Sequence, residues 1–294
     1  MAEIGFVILS HENSPQLQQL TLVLNRLYMN PPIVVHHDFS KAKINTYSFS
    51  KNVYFVDDYV KTRWGRFSLV EAALKGLQKL YENKEASPDY YTLLSASDYP
   101  CKPSVKVLEE LEDSNADVFI KCQKITPTQL ESDWEKACFK RYFCFNLLFT
   151  VKGADVKQLT LVNSRSYYQR FTPFSDSVNC WVGEFWHTAS KRAALLLLDY
   201  AKHDSSKFIQ HFRRTKIPDE AFFQTVFMNF NQLKCHHENF RYTDWSEKGQ
   251  HPKYLSVSDM AKLKASKAHF ARKLHTHDTA MVQLIDNELL NFSE

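Results

Sequence analysis

An α/β fold with a mostly parallel sheet flanked by helices follows from three features of the 294-residue sequence. Apolar runs of strand length stand at 4–10, 33–38, 53–58, 90–96 and 116–121. Amphipathic stretches of helix length lie between them, at 14–28, 67–81 and 104–112. His11, Asp38, Asp58 and Asp98 fall at the carboxyl ends of these strands. Strands that are apolar throughout are covered on both faces. Ligands of such sheets collect beyond the strands' carboxyl ends.

The first strand, IGFVILS (4–10), is short and β-branched. The stretch 14–28 reads as a helix with Ser14 as cap, Pro15 at the first helical position, and Leu17, Leu20, Leu24 and Leu27 on one face. IVVHHD (33–38) and VYFVDD (53–58) give the next strands. FSLVEAALKGLQKLY (67–81) carries Val70, Ala73, Leu74, Leu77 and Leu80 at helical spacing. YYTLLSA (90–96) is a strand, SVKVLEELE (104–112) a capped helix, and ADVFIK (116–121) a further strand. Residues 122–180 read as irregular and rich in aromatics and cations. Helices are expected over 189–202, 218–230 and 257–270, the last with Ser256 and Asp259 in a capping-box arrangement. No repeat or convincing linker divides the chain. The expectation is one domain over 1–294, with a nucleotide-binding half (1–121), an acceptor and catalytic half (122–255) and a C-terminal segment (256–294).

Composition narrows the function classes. A formal net charge of +4, with both signs mixed, is too mild for a nucleic-acid binder and suits a small anionic ligand. The six cysteines form no CxxC pair and no metal-finger spacing, so reduced thiols in a cytosol are expected. No run approaches the ~20 apolar residues of a membrane span. The sequence holds no HExxH, DxD, GxGxxG or P-loop, and neither a metal nor a cofactor is expected.

Several segments carry candidate chemistry. LLSASDYPCKP (93–103) delivers the single acid Asp98 into a loop, where a metal site would ordinarily need a second acid. In KIPDEAFFQT (216–225), Asp219 and Glu220 fall in a first helical turn; they serve either as helix-starting acids or, for at most one of them, as a general base. In HFARKLHTH (269–277), Arg272 and Lys273 either complement a helix dipole or clamp a diphosphate, since fixed cations stabilise developing negative charge. FRYTDWSEKGQHPK (240–253) offers Arg241, Trp245, His251 and Lys253 as a lid or as an aromatic plug. CWVGEFWHT (180–188) sets Trp181, Glu184 and Trp186 around Gly183, a stacking surface with a nearby acceptor carboxylate, or a core anchor in the case of Trp186. TRWGRFS (62–68) reads as a tight turn before a helix.

Taken together and in order, FVILSHENSPQLQQL, VVHHDFSK, the Trp64 turn, LLSASDYPCKP, CWVGEFW, PDEAFFQT and the pair YTDWS…HPKYLS with HFARKL resemble the core-2/I-branching β-1,6-N-acetylglucosaminyltransferase family, which also includes peptide O-xylosyltransferases. The resemblance spans about residues 4–275. It implies a GT-A-type fold and inverting, metal-independent transfer of N-acetylglucosamine or xylose from a UDP-sugar to a glycan, glycolipid or peptide acceptor. On this likeness Glu220 is the general base, and Lys273 with Arg272 neutralises the leaving diphosphate. Asp98 contacts the donor, and His11, Asp38 and Arg241 line the donor side. Trp181, Glu184 and Trp245 fall on the acceptor side. The family's second diphosphate-binding arginine aligns near Gln250, leaving His251, Lys253 or Arg241 to replace it. The animal enzymes are membrane-anchored and disulfide-rich, so the expectation here is a microbial cytosolic relative. Peripheral membrane association through a lipid-linked acceptor stays open, as do a non-catalytic nucleotide-sugar or glycan-binding protein on the same fold and a glycoside hydrolase.

Overall fold

The computed structural model describes residues 2–12, 15–82, 87–150, 156–162, 168–202, 206–247, 249, 251–275 and 279–292. In chain order β1 (Ile4–Ser10), α1 (Pro15–Leu27), β2 (Ile33–His37), β3 (Val53–Phe55), α2 (Ser68–Leu80) and β4 (Tyr90–Ser95) come first. They are followed by β5 (Asp98–Pro100), α3 (Ser104–Asp113), β6 (Val118–Phe119), β7 (Cys122–Ile125), α4 (Asp133–Tyr142), β8 (Phe145–Thr150), β9 (Val156–Val162) and α5 (Tyr168–Phe171). The remainder comprises β10 (Cys180–Gly183), β11 (Thr188–Ser190), α6 (Lys191–Ala201), α7 (Lys207–Arg213), α8 (Phe222–Asn229), β12 (Cys235–His236), β13 (Arg241–Thr243), α9 (Met260–Ala265), β14 (Phe270–Arg272) and α10 (Thr279–Glu288).

Seven strands form the central sheet in the order β12-β6-β11-β4-β1-β2-β3. Its pairs are parallel except those of β11, which runs antiparallel to both β4 and β6. The fold is thus mixed α/β, with a mostly parallel sheet as expected. β1 shows why its sequence is apolar throughout. Val7 packs into the core that includes residues of α2, α6, α7 and α8, while Phe6 and Ile8 pack into the core that includes residues of α1, α3, α9 and α10.

Several boundaries differ from the sequence reading. Ser14, the expected cap of α1, lies outside the described residues. α3 follows Pro103 with no side-chain cap, so the expected capped start is absent there. The 189–202 stretch opens on β11 before Ser190 caps α6 through its hydroxyl and the Ala193 N–H. The 218–230 stretch divides into a 3-10 turn over Pro218–Glu220 and then α8, so Asp219 and Glu220 precede the α-helix rather than start it. The 257–270 stretch keeps its Ser256–Asp259 capping box but ends as helix at Ala265, and Phe270 begins a strand. Arg272 therefore lies on the strand β14 and not in the last turn of a helix. The stretch 122–180 contains β7, α4, β8, β9 and α5 and is not irregular.

The strand β14 brings the end of the chain back to the sheet. It pairs parallel with β13 and antiparallel with β5, placing Arg272 opposite Asp98 and Phe270 opposite Arg241. Leu274 N–H donates to the Ser97 carbonyl at 2.9 Å, extending the contact past the strand.

Candidate active site

Asp98 opens β5 and is fully buried. One carboxylate oxygen accepts from the Ser95 N–H at 3.0 Å, and the other lies 3.4 Å from Arg272 Nη1. Burial pushes the Asp98 carboxyl up, while the guanidiniums of Arg272 and Arg241 pull it back. Arg272 is 7 % exposed, with its guanidinium 4.4 Å from the Trp186 ring centroid. Arg241 is similarly buried, 4.8 Å from the Phe270 ring centroid, and its Nη1 donates to the Asn239 carbonyl at 2.9 Å. Burial lowers Arg241 to about 10, opposed by Asp98. Asp98 Oδ1, Arg272 Nε and Nη1, and Arg241 Nε have no hydrogen-bond partner among the described residues. Orphaned polar atoms at this density are costly unless something else completes them.

Lys273 follows directly. Its Nζ lies 5.6 Å from the Tyr254 ring centroid, and Tyr254 in turn stacks on His275 at 3.7 Å. Burial lowers its pKa, Arg272 lowers it further, and Asp98 and Glu12 raise it. Glu12, in the loop after β1, also lies 3.5 Å from His11 Nε2, a contact that becomes an ion pair only when the imidazole is protonated. Partial burial lowers the His11 pKa, as does Lys41, while Glu12 and Asp38 raise it. Asp98, Arg272 and Lys273 thus stand together where β14 meets β5.

Glu220 lies at the end of its 3-10 turn. Arg141, in the last turn of α4, donates Nη1 to Glu220 Oε2 at 2.9 Å. Partial burial raises the Glu220 pKa, Arg141 opposes it, and Glu184 adds to it. The neighbouring Asp219 is raised to about 7 by burial and by Glu220. The turn is anchored behind. Ile217 sits at φ 54°, a rare conformation for a β-branched residue. Its carbonyl accepts from Tyr142 Oη at 2.8 Å and its N–H donates to the Gly65 carbonyl at 3.0 Å. Gly65 adopts φ 68°, which only glycine takes without cost, so the Trp64-Gly65 turn is the support on which the Glu220 loop rests.

Glu184 joins the two groups. It follows β10, where Gly183 allows close approach to β7: a Cβ there would overlap the Lys121 carbonyl. Its carboxylate accepts from Asn239 Nδ2 at 2.8 Å and pairs with Lys121 at 3.3 Å. Gln224 of α8 donates to its carbonyl at 2.8 Å. Its charge acts on Glu220 on one side and on Arg272 and Arg241 on the other. Asn239, which holds the Glu184 carboxylate, also accepts from Arg241 Nη1 through its carbonyl, so hydrogen bonds connect Glu184 to the arginine side of the site.

Other candidates are placed differently. Asp38 is fully buried, with both oxygens occupied: one accepts from Ser40 N–H and Oγ at 3.1 and 2.6 Å, the other from Thr62 N–H and Oγ1 at 2.7 and 2.8 Å. Trp181 is half-buried, its indole N–H without a partner among the described residues and its ring 6.1 Å from His237. Trp245 is half-exposed in the loop after β13. Of the replacements for the missing arginine, Lys253 is bound to Asp259 at 2.7 Å, whereas Arg241 is buried on β13, one strand away from the strand of Asp98. Gln250 itself lies outside the described residues. Sequence reasoning missed Arg141 and Asn239, whose partners are 79 and 55 residues away, and the role of Trp186 as a platform for Arg272.

Among the described residues no three His, Cys, Asp or Glu side chains are grouped as metal ligands would be, and no helix is long and apolar enough to cross a membrane.

A family model described as Core-2/I-Branching enzyme matches residues 4–266. No curated protein sequence matches. Among solved structures, a Bacillus anthracis protein assigned as a glucose-1-phosphate thymidylyltransferase, in complex with a sucrose, is similar at 8% identity and a TM-score of 0.39. The match covers 79% of this chain and 86% of that one, and is too loose to carry an argument.

Proposed function

The chain belongs to the Core-2/I-branching enzyme family, a family of glycosyltransferases that use nucleotide sugars, and on that premise we propose that it moves N-acetylglucosamine or xylose from a UDP-sugar to an acceptor hydroxyl with inversion and without a metal. In this reading the acceptor hydroxyl gives its proton to Glu220 as its oxygen attacks the anomeric carbon. The bond from that carbon to the diphosphate oxygen breaks on the opposite face, and the electron pair leaves with UDP. Lys273 and Arg272 offset the charge that develops there, with Arg241 as the second arginine. Asp98 accepts from the donor and orients Arg272. Trp181, Glu184 and Trp245 border the acceptor, and His11 borders the nucleotide. Asp38 shapes that wall through Ser40 and Thr62.

The observation that carries the reading is the hydrogen-bonded link through Glu184: its carbonyl is held by Gln224, four residues past Glu220, and its carboxylate by Asn239, whose own carbonyl accepts from Arg241. The whole chain is proposed as one transferase unit, its 256–294 segment closing on the diphosphate. Its cysteines, read as thiols, suit a reducing, cytoplasmic setting.

A panel of nucleotide sugars in EDTA tests the donor class and the metal question together, because stabilisation follows affinity. UDP-N-acetylglucosamine or UDP-xylose should raise the melting temperature and support transfer in EDTA. Activity lost on chelation and restored by manganese overturns the metal-free step.

A further inference from the structure

The paired strands β8 and β9 are built inside out. Their register sets Leu147 opposite Leu159 and Phe149 opposite Lys157. By the two-residue alternation of strands, Leu147, Phe149, Lys157 and Leu159 share one face, and Leu161, at the irregularity opposite Phe145 and Asn146, is exposed as well. These four apolar residues are 46–52% exposed. The opposite face carries Asn146, Leu148, Gln158 and Thr160, and its better-covered part is held to the protein by polar groups. Asn146 is buried, its Nδ2 donates to the carbonyls of Lys140, Arg141 and Cys144, and its Oδ1 accepts from Thr160 Oγ1 at 2.9 Å. Gln158 Nε2 donates to the Lys140 carbonyl at 3.0 Å. A half-covered ribbon normally turns its apolar side inward. A contiguous apolar face left outward marks a surface for an apolar partner.

The charges around it select the partner. Lys157 lies on the face itself, and at the ribbon's root Phe145 lines a small cavity of about 70 Å³ together with Lys207 and Arg214. No acidic side chain lines that cavity. A symmetric second copy would set these cations against their own images. An anionic lipid surface accepts both the cations and the leucines.

We propose that the β8–β9 ribbon docks on an anionic lipid surface, burying Leu147, Phe149, Leu159 and Leu161 at the headgroup boundary while Lys157 meets its phosphates and Lys207 and Arg214, exposed near the ribbon's root, add to the attraction. The ribbon's root lies three residues from Tyr142 and four from Arg141, which holds Glu220. Docking there presents the base to an acceptor carried by a lipid. This deepens the transferase reading and rests on it only for the acceptor. The docking itself is measured without donor or acceptor, so either can fail alone.

Flotation of the full chain with vesicles is the test. Wild type should bind phosphatidylglycerol-containing vesicles, and binding should weaken as salt rises. Leu147→Ser with Leu159→Ser should cut the bound fraction about tenfold while leaving the melting temperature and UDP-sugar hydrolysis unchanged. Lys207→Ala with Arg214→Ala should remove the preference for anionic over phosphatidylcholine vesicles. Binding to neither vesicle at low salt overturns the proposal. So does a wild-type dimer in solution that the two serine substitutions convert to monomer, which would make the ribbon a contact between copies.

Discussion

Asp38 and Asp98 are both fully buried carboxylates just past parallel strands of one sheet, yet their surroundings are opposite. Burial alone would push both up. At Asp38 that effect is outweighed by four donated hydrogen bonds from Ser40 and Thr62, and its pKa is lowered. At Asp98 one backbone N–H and a loosely placed guanidinium do not outweigh it, and its pKa is raised. The first carboxylate is complete and fastens two loops together. The second leaves an acceptor and several guanidinium donors unfilled. Folded proteins keep such deficits where a ligand completes them, at some expense in stability.

The largest expected effect falls on neither acid but on Glu220, the proposed base. Glu220→Gln should lower the transfer rate about a thousandfold, in the range of a lost general base, with UDP affinity retained on calorimetry. A rate within a few-fold of wild type would remove it from the reaction.

The two buried acids should then separate in sign. Asp98→Asn removes a charge that folding must desolvate, so the melting temperature at pH 7 should hold or rise, while UDP-sugar affinity falls about tenfold for one lost charged hydrogen bond. Asp38→Asn should cost about 2 kcal/mol, through lost charge-assisted hydrogen bonds, with UDP-sugar affinity falling only about two- to threefold as the wall it shapes loosens. The pH dependence follows the same signs. The lowered Asp38 stabilises above the ordinary carboxylate range, and that stability is lost as pH falls through its folded-state pKa. The raised Asp98 does the reverse, its neutral form being favoured in the fold and stability declining as pH rises through that range. Equal losses of stability in the two variants would erase the distinction.

The smallest effect concerns Arg141, which holds the Glu220 pKa down against partial burial. Arg141→Gln should let that pKa rise further. Since the base must be ionised, the acidic limb of the pH–rate profile should move to higher pH, with the rate above it largely kept. A uniform fall at every pH would assign Arg141 to binding instead.

The parts legible in the sequence were those written locally. β1, β2 and β4 are long apolar runs, and α1 and α2 carry clear helical stripes, so the sheet and its covering helices could be read directly. β11, β13 and β14 have three residues each, too few for a period to show, and their pairing depends on distant strands. The same limit governs the site. Asp98 and Glu220 stood out beside prolines in recognisable turns. Nothing near Asp38 announces that Thr62, 24 residues on, fills its second oxygen. Nothing in α4 announces that Arg141 reaches Glu220.

The central claim, that basic side chains near the end of the chain hold the donor's diphosphate, is tested most directly by calorimetric titration of Lys273→Ala in EDTA with UDP and with uridine. A loss of about tenfold or more for UDP, with uridine affinity unchanged, is the expected result for one buried charge contact to phosphate. Undiminished UDP affinity would contradict it.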